Sequence, residues 1–500
     1  IHGAPNSSIW GGIGPTTIID PATITISEDA GNVSTTVTGV GDQVAGNDHN
    51  DTITATGASE TIAGGGGINV ISSTGANAVI FGGSGTDNIT STGDGTHIGL
   101  GSGTGNVTLT GGAATVFGGS GAFNILSSVA GGVQIGLAGG SGSVTMAGSN
   151  TALFAGTGSV DVLDTGTNDS IGGFLGPLSV TLAGSGGGIF SDGGPLTAVV
   201  SGNTNTIFGS GAVTATISGS QDVVGAGTLP TELLITGADA TVFGNAAALS
   251  VDAEGAGVVV GAGDGATAVT LGGGGGTVFG GAGAVSVVAT GSGSDTIGLD
   301  SGFAHITAGG STSLAVFASN GGLNFVGGAG SSTIFAGTGG ASLFGAANGV
   351  LTYGGEPVGA GNMIYQAGDG SETINAGFSS AGDSLSGGTV AGSQVSMVGG
   401  AGSDTLGAGA GTDTMAGGAG SDLFQFTKAV INGNAPTDIV MDFGSTDSVL
   451  LGGYGAAEAS AALASAVTVG TDTTLTLSDN TKITFVGTSV AQLTGHITST

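Results

Sequence analysis

Three aspartates nine residues apart, Asp404, Asp413 and Asp422, are the best-placed candidates for chemistry in this 500-residue chain. They lie in residues 399–425, which read GGAGSDTLG, AGAGTDTMA, GGAGSDLFQ when cut every nine residues. In each copy two glycines precede the aspartate: Gly400 and Gly402, Gly409 and Gly411, Gly418 and Gly420. An apolar residue follows it, Leu406, Met415 or Phe424. Glycine reaches backbone conformations that a β-carbon forbids, so such units form tight turns whose carbonyls can point at a common centre. A carboxylate closing the turn adds a hard oxygen, which suits Ca2+ and its preference for six to eight oxygen ligands. The chemistry expected here is calcium binding.

This array resembles the glycine- and aspartate-rich nonapeptide of the repeats-in-toxin (RTX) family, G-G-x-G-x-D-x-U-x. Its second copy departs from the pattern at Ala408. The resemblance implies a β-roll in which carbonyls and carboxylates of successive coils hold each calcium ion. It also implies a tail that follows the last repeat and carries an uncleaved signal for one-step (type I) export. On that footing Asp438, Asp442 and Asp447, in TDIVMDF and TDSVLL, are further candidate ligands, and residues 426–500 are a cap plus secretion signal region.

The elements that must hold these aspartates show in a second rhythm. Stepping by nine from Val44 gives Ile53, Ile62, Ile71, Ile80, Ile89, Ile98, Val107, Val116 and Ile125 without a break. The ladder slips by one residue, continues from Ile135 to Ile189, and wanders between about 190 and 241, where Pro195 and Pro230 read as looser loops. It locks again at Val242 and runs to Leu343. A helix has no use for a period of nine with glycine punctuation, whereas the half-coils of a β-solenoid require it. The expected fold is all-β: a right-handed parallel β-solenoid of the β-roll type, 18 residues per coil, with a small C-terminal cap. Residues 1–41, not yet periodic, are an N-terminal cap or docking segment, with Trp10 as a cap contact. Residues 42–343 form the long solenoid, 344–398 an irregular stretch with an insertion, and 399–425 the calcium array. A helix is expected at 456–466 (AAEASAALASA) and a hairpin around 478–480.

The position two before each ladder residue tells where further ions can sit. Early in the chain it holds Asp42, Asp51, Glu60, Asn69, Ala78 and Asp87; late in the chain Glu372 and Asp383 lead into the array. Between them it is mostly small or apolar, with isolated Asp169 and Asp295. Residues 18 apart stack, so Asp42 and Glu60 fall on one edge, Asp51 and Asn69 on the other. Metal sites are therefore expected toward the two ends. Phenylalanines recurring about every 36 residues, Phe81, Phe117 and Phe154 among them, are expected to pack in the core or at its edge.

Composition limits the partners. The net charge is −32, and Lys428 and Lys482 are the two cationic side chains. Such a chain presents no phosphate-binding surface, which excludes nucleic acid and anionic lipid. No run approaches the ~18 apolar residues of a membrane span, so no membrane insertion is expected. There is no cysteine, no H-E-x-x-H and no G-x-S-x-G, and the histidines are scattered. No basic n-region follows Ile1, so a leader has been trimmed or export uses the other end. The function expected is a secreted structural protein at the extracellular surface of a bacterium, binding calcium and self-assembling into a surface layer, filament or biofilm matrix. Its partner would be itself, with cell-surface polysaccharide as a second. An adhesin or ice- or glycan-binding module is the alternative; a β-helix polysaccharide-modifying enzyme ranks third.

Overall fold

One Ile or Val in every nine residues can be buried only if short strands stack on their own equivalents one coil later. The computed structural model shows that arrangement. It describes residues 6–11, 23–28, 31–310, 313–335, 337–345, 350–354, 362–377, 379–428 and 435–500. The chain divides into two compact units, Ile1–Val242 and Phe243–Thr500; both are built of parallel β-solenoid coils, and the second ends in a small cap.

In the first unit, strands of three to six residues alternate between two parallel sheets. Ile53 pairs with Ile71 and Ile71 with Ile89, each 18 residues on, and the column continues through Val107, Ile125 and Val144. The facing sheet stacks Val44, Ile62, Ile80, Ile98 and Val116. These side chains are fully buried or nearly so, each contributing roughly 1.5–3 kcal/mol. Between the sheets lies a core one side chain deep.

From Gly41 onward, each coil of this unit turns one of its corners through a left-handed residue. Ser59, Asn77, Ala113, Asn150 and Asn168 all have φ between 53° and 61° at this position, and Gly95 and Gly186 take it in other coils. Asparagine tolerates that region and alanine does not, so Ala113 is strained there.

The coils begin earlier than the ladder indicates. Ser8–Gly11 pairs with Thr25–Glu28, and Thr25–Glu28 with Gln43–Ala45, so the described part of residues 1–41 is itself solenoid. Trp10 is no cap contact; it is 73% exposed. Nor are Pro195 and Pro230 in looser loops. Leu196 pairs with Val213 and Thr206 with Val223, each 17 residues on, so the apparent loss of phase is one residue missing from a coil. The prolines sit in stacked corners, where their carbonyls accept the amides of Leu178 (3.0 Å) and Val213 (3.2 Å). Proline lacks a donor but keeps its acceptor, and the corner uses the acceptor.

In the second unit, Val251, Val269, Val287, Ile306, Phe325 and Leu343 form one core column. Coils lengthen through residues 344–398, yet the register holds: Leu343 pairs with Tyr365, Tyr365 with Leu385 and Leu385 with Leu406. The insertion expected near GGEPVGAGNM falls mostly outside the described residues. The C-terminal cap closes the stack. Lys482–Phe485 pairs in parallel with Thr437–Val440 and antiparallel with Asp472–Thr476, which forms the expected hairpin. The helix is shorter than predicted, Glu458–Ala464, and a second short one, Val490–Leu493, carries a Ser489/Gln492 capping box.

The phenylalanines depart from expectation altogether. Phe81, Phe117 and Phe154 are 50%, 58% and 57% exposed. Each follows a core residue by one place, and in a strand that parity points a side chain outward.

Candidate metal centre

The edge position, two residues before each core residue, faces inward at the corner. Asp42, Asp51, Glu60, Asp87, Asp295, Glu372, Asp383, Asp404, Asp413, Asp422, Asp438 and Asp447 are all buried there. The register stacks Asp383, Asp404, Asp422 and Asp447 along one edge, in successive coils. Glu372, Val395, Asp413 and Asp438 stack along the other.

A recurring hydrogen bond holds these carboxylates. The amide of the residue one coil earlier donates to Oδ1: Asp383 to Asp404 (2.7 Å), Asp404 to Asp422 (2.9 Å), Asp422 to Asp447 (3.1 Å) and Asp413 to Asp438 (3.0 Å). In the early coils Ile24 donates to Asp42 and Val33 to Asp51 in the same way. The second oxygen takes an amide from its own turn at several positions: Gly400 to Asp404 (2.7 Å), Gly409 to Asp413 (2.6 Å) and Gly83 to Asp87 (2.6 Å). At Asp422 it takes nothing: Oδ2 is buried with no hydrogen-bond partner.

The glycines serve coil stacking. A Cβ on Gly400, Gly402, Gly409, Gly411, Gly418 or Gly420 would come within 1.8–2.3 Å of a carbonyl oxygen in the preceding coil. Some turn carbonyls bond the next coil: Gly388 O accepts from Ala410 and Gly400 O from Ala419, both at 2.8 Å. The first glycine of a repeat has a separate reason. A Cβ on Gly399 or Gly417 would meet Asp404 or Asp422 Oδ2 at 2.3 or 2.4 Å, so the carboxylate occupies the space a side chain would need.

Electrostatics follow burial. Burial raises the Asp422 pKa, with the charges of Asp447, Asp404 and Asp442 adding to it. Asp438 is pushed up to about 8 by burial and then by Asp413, and Asp413 to about 6 by burial. Burial raises Asp383, with a smaller contribution from Asp404, and also raises Asp295. Glu60 reaches about 8 through burial and Asp42. Glu372 accepts the Tyr365 hydroxyl and the Gly368 amide.

The charges of Asp404, Asp442 and Asp447 thus reach Asp422, and separately that of Asp413 reaches Asp438. Asp442 receives the amides of Gly417 (2.9 Å) and Gly418 (2.8 Å). The early acids stay on separate edges: Asp42 with Glu60, and Asp51 with Asn69 and Asp87, where Asn69 Nδ2 donates to Asp87 at 2.9 Å. Asp295 lies alone beside Leu314. Among the described residues no three His, Cys, Asp or Glu side chains are grouped to hold a metal ion. Carboxylates alone do not make a cage, so backbone oxygens would have to complete one.

Comparison with family models, curated proteins and solved structures gives no match to this chain.

Three further buried groups lie off the ladder's regular edge positions or in the stretch where its phase wanders. Asn205 and Asp222 occupy the same corner column, accepting the amides of Gly187 (2.8 Å) and Asn205 (2.6 Å); Asn205 keeps the 18-residue step, and the 17-residue coil after it moves Asp222 out of phase. Asp164 sits two residues after core residue Val162, where no ladder of ligands was sought, and meets Asp169. Burial and the neighbouring carboxyl lift Asp164 to about 7; burial also raises Asp169.

Proposed function

We propose that this is a secreted, calcium-binding structural protein of the bacterial exterior that self-assembles into a surface layer, filament or matrix. One observation carries the reading: the row Asp383, Asp404, Asp422 and Asp447 repeats a buried carboxylate in successive coils of a chain with two cationic side chains. Buried charge is costly unless it is neutralised by a partner, a proton or a metal. The raised pKa values of Asp383 and Asp422 and the bare oxygen of Asp422 mark where that cost is least relieved. All donors here are hard oxygens, and a turn carbonyl that accepts one amide retains a second lone pair. Asp404, Asp413, Asp422 and Asp438 with the adjacent glycine carbonyls would hold the ions, and calcium would supply the missing positive charge. Metal affinity would then be folding free energy, tying the acid-lined coils to a calcium-rich exterior.

The test is calorimetric titration with Ca2+ and Mg2+, alongside circular dichroism and hydrodynamic radius with and without chelator. Calcium should bind in preference to magnesium, raise β signal and compact the chain, and D404N/D422N should lose most of that response. Identical size and β content in chelator and calcium would end the proposal. Electron micrographs of the calcium-loaded protein test the assembly part.

A further inference from the structure

On the outer face of one sheet in the first unit, phenylalanine and glycine alternate coil by coil. The register aligns Phe81, Gly99, Phe117, Gly136, Phe154 and Gly172 in one column. Phe190 and Phe208 continue it, stacked with ring centroids 6.1 Å apart. Each of the first three rings lies over the next coil's glycine: a Cβ at Gly99 or Gly172 would stand 3.4 Å from the Phe81 or Phe154 ring, and at Gly136 3.9 Å from Phe117. Glycine leaves room for each ring over the next coil, so the face is an aromatic platform, about half exposed.

This face also lacks charge. From Gln43–Ala45 to Val223–Gly225, no strand of this sheet contains an Asp, Glu or Lys. The other sheet of the same unit points Asp161 and Glu232 outward. Copies of a chain with net charge −32 repel wherever acids meet, and like charges facing across an interface oppose docking. Here two copies would meet without that opposition. A half-exposed phenylalanine offers about 100 Å². The five rings thus give about 500 Å² per copy and about 1,000 Å² for a facing pair, the size at which specific interfaces begin.

We propose that this platform docks a second copy of the chain, aromatic face against aromatic face. The inference deepens the self-assembly part of the proposed function by naming its surface, and it does not require calcium at that surface. The test is sedimentation velocity of the full chain over a wide concentration range, in calcium and in chelator. F117S/F154S should raise the dissociation constant at least tenfold with an unchanged circular dichroism spectrum. T115D, which puts a charge on the same face while leaving the rings intact, should do likewise and serves if the double variant folds poorly. Because the chain has no cysteine, Q134C should cross-link between copies with a short bis-maleimide, and T181C on the other sheet should not.

The proposal is overturned if the wild type stays monomeric, or if it associates equally well with F117S/F154S and T115D. It is also overturned if the monomer binds polysaccharide beads through these rings. Filaments that persist in F117S/F154S would sink this inference and leave the proposed function standing. Face-dependent dimers in a protein whose monomer size and β content are the same in chelator and calcium would do the reverse.

Discussion

Two stretches of the solenoid build the same corner from different materials. At Val160, Leu178 and Leu196 the edge amide donates to a backbone carbonyl of the next coil, that of Pro177, Pro195 or Ala212, and the edge side chain is apolar. At Met363, Asp383 and Asp404 the same amide donates instead to the carboxylate of Asp383, Asp404 or Asp422. The first solution is neutral and complete without help. The second satisfies the amide and leaves a negative charge inside the protein. Nothing about coil closure demands the carboxylate, because the apolar coils close without it. What the acids add is charge at a fixed interval, and that makes them the place to look for a cation.

The largest test of this contrast is Phe123→Asp, which brings a carboxylate to a corner already satisfied by backbone, since Gly105 donates to Ala122 O at 2.9 Å. An uncompensated buried charge should cost about 3–5 kcal/mol, measured by urea denaturation. Next is calcium removal. At about a hundredfold excess over its dissociation constant the ion should stabilise by about 2.7 kcal/mol. Hydrogen exchange should show that loss at Asp404 to Asp447 and not at Val160 to Leu196; equal deprotection of both stretches would break the comparison.

The pair Asp164 and Asp169 sharpens it from the other side, as acids set among apolar coils. Their pKa values are raised in the folded state, so the folded form holds a proton that the unfolded chain releases near pH 4. Stability from this pair is therefore full below about pH 4 and falls as pH rises toward about 7, by on the order of 2 kcal/mol. Asp164→Asn should flatten that slope in denaturant titrations run in chelator. The smallest effect is expected at Ala113. Replacing it with glycine should relieve the left-handed strain and stabilise by about 1 kcal/mol, read as a higher melting temperature.

The core columns were legible because Ile and Val recur at an interval no helix uses. Ile9, Ile26 and Val44 belong to one such column, yet the first coils went unseen. Thr35, buried at 1% exposure where an Ile was sought, interrupts the run. A period of 36 is the same inside and outside a coil and so does not place Phe81; its adjacency to Ile80 is the better signal. The acids of the corner were legible by position. Their partners were not, since the amide that holds Asp404 lies 21 residues back and the one that holds Asp438 lies 25 back, intervals that variable coil length hides.

Each acid-lined coil has its corner sealed by a side chain it does not own: the amide of Asp383 waits for Asp404, and that of Asp404 for Asp422. A terminal coil of this kind always presents a bare donor to whatever follows it. Such a stack has a built-in polarity, finished at one end and unfinished at the other until something arrives to close it. Here Asp447 closes the row, ahead of the cap. A chain cut just before it would leave the Asp422 amide without its acceptor.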